Sequence, residues 1–572
     1  MPKTETDLTV TKPIRRCQKL ALPLVILAMI GGGDFPSPNH SLVDAVSAAT
    51  RPSQSVVGLV RSDYSELADP ATADAELTES QVEQMVRHAV ELSGGLADRI
   101  PQDAQWVVIK VNIVELREQG SGVITDWRVV KSLIEIVHET VPEARVTIVE
   151  GPAEWISPGS PDVQVGHQVK RIDGFAIAGY RQLLEDPDLA GVDLDILDLN
   201  FDEVDEVMVP DGGFARDRWT LPVAILESDF FITVPVLKIH DQINMTNAMK
   251  NLIGIFPGMI YGWPKLRGYP PRSGNRGIPH SDDIIDETIA DVVAAAGPDF
   301  ALVDAIMCME RAKTDAYGFG GRQRRMNVIL ASADVVAADA ISAQLIGLNP
   351  ADIAYLSLAA HKELGQNNPS LIEVKGSTLE QVAVRFEKTR RGHYGQGNRT
   401  WTLRGPFAKQ DEQEGVEFID AQHLQVTATQ NGWSNPVYFH DNRIDLDQHY
   451  DDPSHCVVYA YAEFESVQAQ QAELWLGSDE GMKVWINSRQ VYEYDGRRRH
   501  LLPNDRETVQ ILKGTNSVLV RADQARGGFD FSLNICEPEP DPRYDGNRVP
   551  GLEFTVPSSD TRMAASRDET HK

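Results

Sequence analysis

Cysteine is scarce in this chain. Its 572 residues include four, Cys17, Cys308, Cys456 and Cys536, and no two have the Cys-x-x-Cys spacing. That excludes a thiolate-built zinc ribbon, ferredoxin-type cluster or redox dithiol, so no Fe–S cofactor is expected. Positive charge is also short: 54 Lys+Arg against 84 Asp+Glu leave a formal net charge of -30. So acidic a surface repels phosphate backbones and anionic headgroups, and nucleic acid is excluded as a partner. Long apolar runs are missing. The stretch Leu20 to Ile30 falls well below the roughly 20 residues a helix needs to cross a bilayer, so no stable membrane span is expected. Also absent are a Gly-x-Ser-x-Gly elbow, a Walker loop, a dinucleotide fingerprint and a His-x-x-x-His pair, which disfavours a serine hydrolase and leaves no diagnostic metal spacing.

What is present divides the chain into segments. Lys12, Arg15 and Arg16 precede the apolar run, and Gly31, Gly32 and Gly33 follow it, the layout of a signal peptide over residues 1–33. An exported protein is therefore expected, in the periplasm, at the cell surface or outside the cell. Residues 34–54 read as a linker. From 55 to 390, apolar runs alternate with helical patterns. "SVVGLV", "WVVIKV", "RVTIVE", "FFITVPV", "FALVDAI" and "NVILAS" read as strands. Between them, Thr78 with Gln81 forms a capping box ahead of a face of Val82, Met85, Val86, Ala89 and Val90. Asp126 caps a helix facing inward through Val129, Val130, Leu133, Ile134 and Val137, and Asp334 caps one that carries Asp339. A further helix is expected through Lys250. Continuous apolar strands alternating with helices predict an α/β domain, a mainly parallel sheet with helices on both faces. Residues 395–540 turn to short alternating strands split by Asp, Gly, Asn and Pro, the pattern of an all-β sandwich of jelly-roll type. Residues 541–572 read as a flexible tail.

Polar residues follow directly on several apolar strands: Lys110 and Asn112, then Lys238 and His240, then Asp304. Ligands in such sheets bind at the carboxyl ends of strands, so these residues are expected to converge on one crevice. The segment "KIHDQINMTNAMKNLIGIFPG" adds Asn244, Thr246, Lys250 and Asn251, with Thr246 and Lys250 on one face if the segment is helical. The glycine-rich "YGFGGRQRR" reads as a flexible loop.

Taken together, "VVIKVN" with Thr125 and Asp126, "VPVLKIH…TNAMKNLIG", "LVDAI" and "SADVVAADAISAQLIGLNP" resemble the family known as domain of unknown function 362, over about 55 to 385. The resemblance implies the fold and the place of the pocket, and no reaction.

Two chemistries fit these residues. In one, the pocket takes a small anionic molecule. His240 serves as general acid/base beside Lys110 and Lys250, and Asn112, Lys238, Asn244, Thr246, Asn251 and Asp304 contribute to binding. In the other, His240 and Asp304, with Glu150 or Asp339, hold a divalent metal. Lysines and amides outnumber hard ligands, which favours the anion; an enzyme and a non-catalytic binding protein both remain open.

In the C-terminal part, "AELWLGSDEGMKVWINSRQVYEYDG" alternates Leu474, Leu476, Val484 and Ile486 around the turn Asp479-Glu480-Gly481. It resembles the galactose-binding or PA14-like β-sandwiches. That resemblance implies contact with a polysaccharide and, because first and last strands commonly pair in such modules, a Cys456–Cys536 disulfide. The turn and the segment Trp485-Ile486-Asn487-Ser488 depart from the usual Asp-Asp-Gly and Trp-x-Asn-Gly.

Overall fold

A computed structural model describes residues 55–162, 169–263, 265, 277–280, 284–316, 319–388, 397–409, 419–421, 424, 426–439, 443–450, 453–501, 503–538, 543 and 549–555. The expected signal segment, the linker, Tyr317 and Gly318 of the glycine-rich stretch, and much of the expected tail lie outside them. Among the described residues no helix is long and apolar enough to cross a membrane.

Ten strands form the first sheet: β1 Ser55–Arg61, β2 Trp106–Lys110, β3 Arg145–Glu150, β4 Leu194–Asp198, β5 Phe230–Thr233, β6 Val236–His240, β7 Asn244–Thr246, β8 Phe300–Glu310, β9 Arg322–Ser332 and β10 Ile372–Gly376. Their order is β10-β1-β9-β8-β5-β2-β3-β4, with β6 beside β8 and β7 beside β6. The sheet is mixed. From β8 through β5, β2 and β3 to β4 every pairing is parallel, while β9 runs antiparallel to both β1 and β8. The expectation of a mainly parallel sheet missed the long β8–β9 pair, whose connection contains the glycine-rich stretch. Arg322 to Arg325 of that stretch already belong to β9, opposite Glu310 to Met307, so the flexible-loop reading fails for its second half.

Alternation along the strands separates two apolar cores. Val107 and Ile109 enter one core with helices α1 Glu79–Leu92 and α2 Trp127–Thr140. Val108 enters the other with α4 Ile285–Ala296 and α5 Val335–Leu345. The capping box at Thr78 is formed, with Gln81 N donating to Thr78 Oγ1 at 3.2 Å and Thr78 N to Gln81 Oε1 at 3.0 Å. The five apolar residues expected on that helix are its buried face. Asp126 and Asp334 cap α2 and α5 as expected.

The stretch "FFITVPV" is two strands. Proline has no N–H to give a ladder, and Pro235 lies between β5 and β6. Both strands then run parallel to successive parts of β8. Ahead of Lys250, where a helix was expected, the chain first forms the returning strand β7, which places Lys238 opposite Thr246 and His240 opposite Asn244. Asn244 adopts φ 69°, a left-handed conformation that asparagine tolerates. Only then does a one-turn helix, α3 Ala248–Asn251, begin.

The C-terminal strands form two antiparallel sheets. One contains Thr400–Ala408, Cys456–Ser466, Gly514–Gln524 and Met482–Ile486, and the other Asp530–Cys536, Gln470–Ser478 and Asp505–Ile511. Leu474, Leu476, Val484 and Ile486 all face the shared apolar core. Part of the expected tail is structured, since Leu552–Thr555 pairs with Cys456–Ser466. The expected Cys456–Cys536 disulfide is not formed. The two residues sit in different sheets, Cys456 opposite Gln524 and Cys536 opposite Glu473, and Cys456 is a buried free thiol.

Candidate functional site

Where β2, β3 and β6 end, the chain encloses a cavity of about 510 Å³ lined by Lys110, Asn112, Lys238, His240, Thr246, Lys250 and Asn251, with Lys265, His280 and Lys313 besides. So many bases in one enclosure run against the charge of the whole chain. Their hydrogen bonds separate supports from groups available to a ligand.

Lys110 is a support. An ammonium has three N–H groups, and those of Lys110 reach Glu150 Oε1 at 2.8 Å, the Val111 carbonyl at 2.7 Å and Asn251 Oδ1 at 3.3 Å. Both members of the Lys110–Glu150 pair are wholly buried. Burial lowers the Lys110 pKa, and Glu150 opposes that shift. Lys110, expected among the catalytic groups, thus stands in the cavity wall with its three N–H groups engaged. Asn251 is saturated too. Its Oδ1 accepts from Lys110 and from Asn112 Nδ2 at 3.0 Å, and its Nδ2 donates to the Lys110 carbonyl and to Thr233 Oγ1. It positions β2 against α3 and has no donor or acceptor left for a ligand.

Two glycines admit this packing. A Cβ on Gly254 would lie 2.6 Å from both Glu150 Oε1 and Lys110 Nζ, and one on Gly151 would lie 2.3 Å from the Gly254 carbonyl. Thr125, buried below, accepts from Asn112 N and donates to the Val234 carbonyl, which fixes the loop that presents Asn112.

Lys238, Lys250 and Lys265 behave differently. Lys238 donates to Asn112 Oδ1 at 3.1 Å and the Val123 carbonyl at 2.6 Å. Lys265 donates to the carbonyls of Gly151 and Gly254, and Lys250 Nζ lies 3.1 Å from His280 Nε2. Among the described residues none of the three forms an ion pair. Burial pushes Lys238 down to about 8 and both Lys250 and Lys265 down to about 7, because a charged amine loses hydration there and the nearby carboxylates, Glu115 for Lys238, Asp241 for Lys250 and Glu150 for Lys265, offset only part of that loss. Lys313 is nearer the surface, 3.5 Å from Asp241.

His240 is held well below the usual imidazole range, first by burial and then by Lys313 and Lys250. Its Nδ1 accepts from Gln242 N at 3.1 Å. The neutral ring thus carries its proton on Nε2.

Three expected residues lie elsewhere. Asp304 sits within β8, where its carboxylate accepts from the backbone N–H of Asp126 and Ile306; burial and the nearby Asp126 raise its pKa. Asn244 donates to the Asp352 carbonyl at the hairpin. Asp339 accepts from Ala248 N at 2.8 Å and Met249 N at 3.3 Å, which anchors α3. With Glu150 on Lys110, Asp304 and Asp339 on backbone amides and His240 a donor, the expected metal set does not assemble. The acidic cluster found among the described residues, Glu79, Asp186 and Asp188, surrounds the Lys131 ammonium.

Lys265, His280 and Lys313 were not singled out in the sequence, where each sits in an irregular stretch with no apolar period. In the sandwich, the acidic turn turns inward: Glu480 accepts from Arg526 N and pairs with Arg497, and Asp479 accepts from Asp530 N.

Residues 107–344 match the family described as "Domain of unknown function (DUF362)". A thylakoid-associated protein of Synechocystis sp. is 31% identical over 145 residues, which covers 25% of this chain and 39% of that protein's length. The lactate racemase apoprotein from Thermoanaerobacterium thermosaccharolyticum is similar with a TM-score of 0.29 and 12% identity, over 46% of this chain and 55% of its own. A PA14 sugar-binding domain from an RTX adhesin is similar with a TM-score of 0.14 and 14% identity, over 18% of this chain and 54% of its own.

Proposed function

We propose that the cavity binds a small anionic molecule. One observation carries this reading: Lys238, Lys250 and Lys265 line one cavity with neutral hydrogen-bond partners. An anion seated among them would supply the missing charge. Lys238 and Lys265 each keep one N–H beyond those given to the protein. Charge-assisted bonds of this kind are each worth about 1.5–3 kcal/mol.

Native mass spectrometry of the full chain, with thermal melting in inorganic phosphate, sulfate and small carboxylates, tests the reading. The expected result is a saturable rise in melting temperature with at least one of these anions that Lys238→Met abolishes. A uniform response that follows ionic strength alone and survives the substitution would refute it.

We further place the protein outside the cytoplasm. Lys12, Arg15 and Arg16 ahead of the apolar run support this. Fusion of the first sixty residues to a reporter active only after export tests it: activity is expected, and a reporter active only in the cytoplasm would contradict it.

A further inference from the structure

Lys250 differs from the other cavity lysines in its partner. Lys238 and Lys265 are fixed by carbonyl or amide oxygens, whereas Lys250 Nζ faces a second base, His280 Nε2, at 3.1 Å. A hydrogen bond between two bases needs at least one lone pair, so the pair cannot be doubly protonated and hold this contact. The backbone fixes both ends. Asp339 anchors the turn that carries Lys250, and the His280 carbonyl accepts from Gln242 Nε2 beside the His240 hairpin. His280 Nδ1 is buried with no hydrogen-bond partner among the described residues.

We infer that Lys250 is a nucleophile that forms an imine with a small anion bearing a ketone, with His280 as its proton carrier. This inference rests on the anion reading above and extends it to a substrate class. The Lys250 lone pair attacks the carbonyl carbon to make the C–N bond, and the carbonyl oxygen takes up a proton. Nitrogen gives a proton to His280 Nε2. His280 returns it to the hydroxyl, the C–O bond breaks and water leaves. Amine, ketone and one proton from solvent, the one taken up by the carbonyl oxygen, thus give the protonated imine and water; release of a proton from nitrogen to solvent leaves the imine, and no oxidant or reductant takes part. Lys238 and Lys265 are placed to hold the anionic end.

The protonation states support the geometry. Lys250 is pushed down to about 7 by burial and by Lys313 and Lys238, against Asp241 and Asp286. His280 is pulled well below its usual range by burial, Lys250 and Lys313. A substantial share of Lys250 is therefore a neutral amine near neutral pH.

Trapping with sodium borohydride tests the inference. The full chain is treated with borohydride in the presence of pyruvate, oxaloacetate or dihydroxyacetone phosphate, then digested and mapped by mass spectrometry. A reduced adduct concentrated on Lys250 with at least one of these ketones is expected. It should be lost in Lys250→Arg, slowed about tenfold or more in His280→Asn, and faster at pH 8 than at pH 6. Anion-dependent melting shifts without an adduct on Lys250, or adducts spread equally over surface lysines, would overturn the imine and leave anion binding standing. No adduct and no anion-specific shift would remove both. The wild-type peptide map decides the position of the adduct even if a variant fails to fold.

Discussion

A lysine in a protein interior is stable only if its ammonium finds a counter-charge or gives up its proton, and this cavity contains both solutions. Lys110 has Glu150; Lys238, Lys250 and Lys265 have neutral acceptors or an imidazole. Glu150→Gln should therefore leave Lys110 as an uncompensated buried charge and lower stability by about 3–5 kcal/mol, read by chemical denaturation. Lys265→Met should behave in the opposite sense. Replacing a desolvated amine by an apolar chain of similar length should preserve or raise the melting temperature of the unliganded protein. Anion affinity should fall roughly 10–100-fold, the equivalent of one charge-assisted bond. The division between these lysines was not legible in the sequence. Lys110 and Lys238 both follow apolar strand runs, and the strand-end rule brought both to the cavity. Lys110 is saturated because Glu150 ends the neighbouring strand and Gly254 leaves room for the pair, and neither fact has a local signature. Asp304 illustrates the same limit. It looked like a strand end, but β8 continues six residues further, and its carboxylate serves backbone amides.

Among the elements, the one-turn α3 does most to place the site, and its stability comes from outside itself. Four residues are far below the length at which a helix is stable alone. The Asp339 carboxylate, reaching over from α5, accepts the first two N–H groups of the turn. Asp339→Asn should cost about 1–2 kcal/mol and should weaken anion binding although Asp339 is not among the cavity-lining residues; calorimetry and denaturation on the same variant separate the two effects. The long, regular elements were readable in advance because their burial is periodic: α1 and α2 bury the residues their 3.6-residue period selects. The segment from Val236 to Asn251 was not readable. It is too short for a two-residue period to be told from a helical one, and its hairpin depends on Asn244 taking a left-handed conformation and bonding to Asp352, more than a hundred residues away.

Over the whole molecule, a net charge of -30 surrounds a cavity whose charged lining is five lysines and two histidines against Glu115 and Glu154. The outer field would discourage approach of an anion at low ionic strength, so selectivity has to come from the interior. Proton linkage follows. The folded values of about 7 to 8 for the three lysines lie below the ordinary 10.5. Between those limits the unfolded chain carries more protons at these positions than the folded one. Their contribution to the stability of the unliganded protein is therefore present above pH 10.5 and is lost as pH falls through about 8 to 7. A bound anion reverses the preference, because it favours the charged amines. In the C-terminal sheets, the buried Cys456 thiol predicts a melting temperature that reductant does not change, and one thiol titrating at that position after denaturation without reductant.

Isothermal titration calorimetry of the full chain with the anion that gives the largest melting shift tests the central claim most directly, run at pH 8 in two buffers of different ionisation enthalpy and repeated at pH 6. The account predicts saturable binding that takes up protons at pH 8, takes up fewer at pH 6, and weakens as pH rises from 8 to 9. Binding with no proton uptake at pH 8, or no saturable binding at either pH, would contradict it.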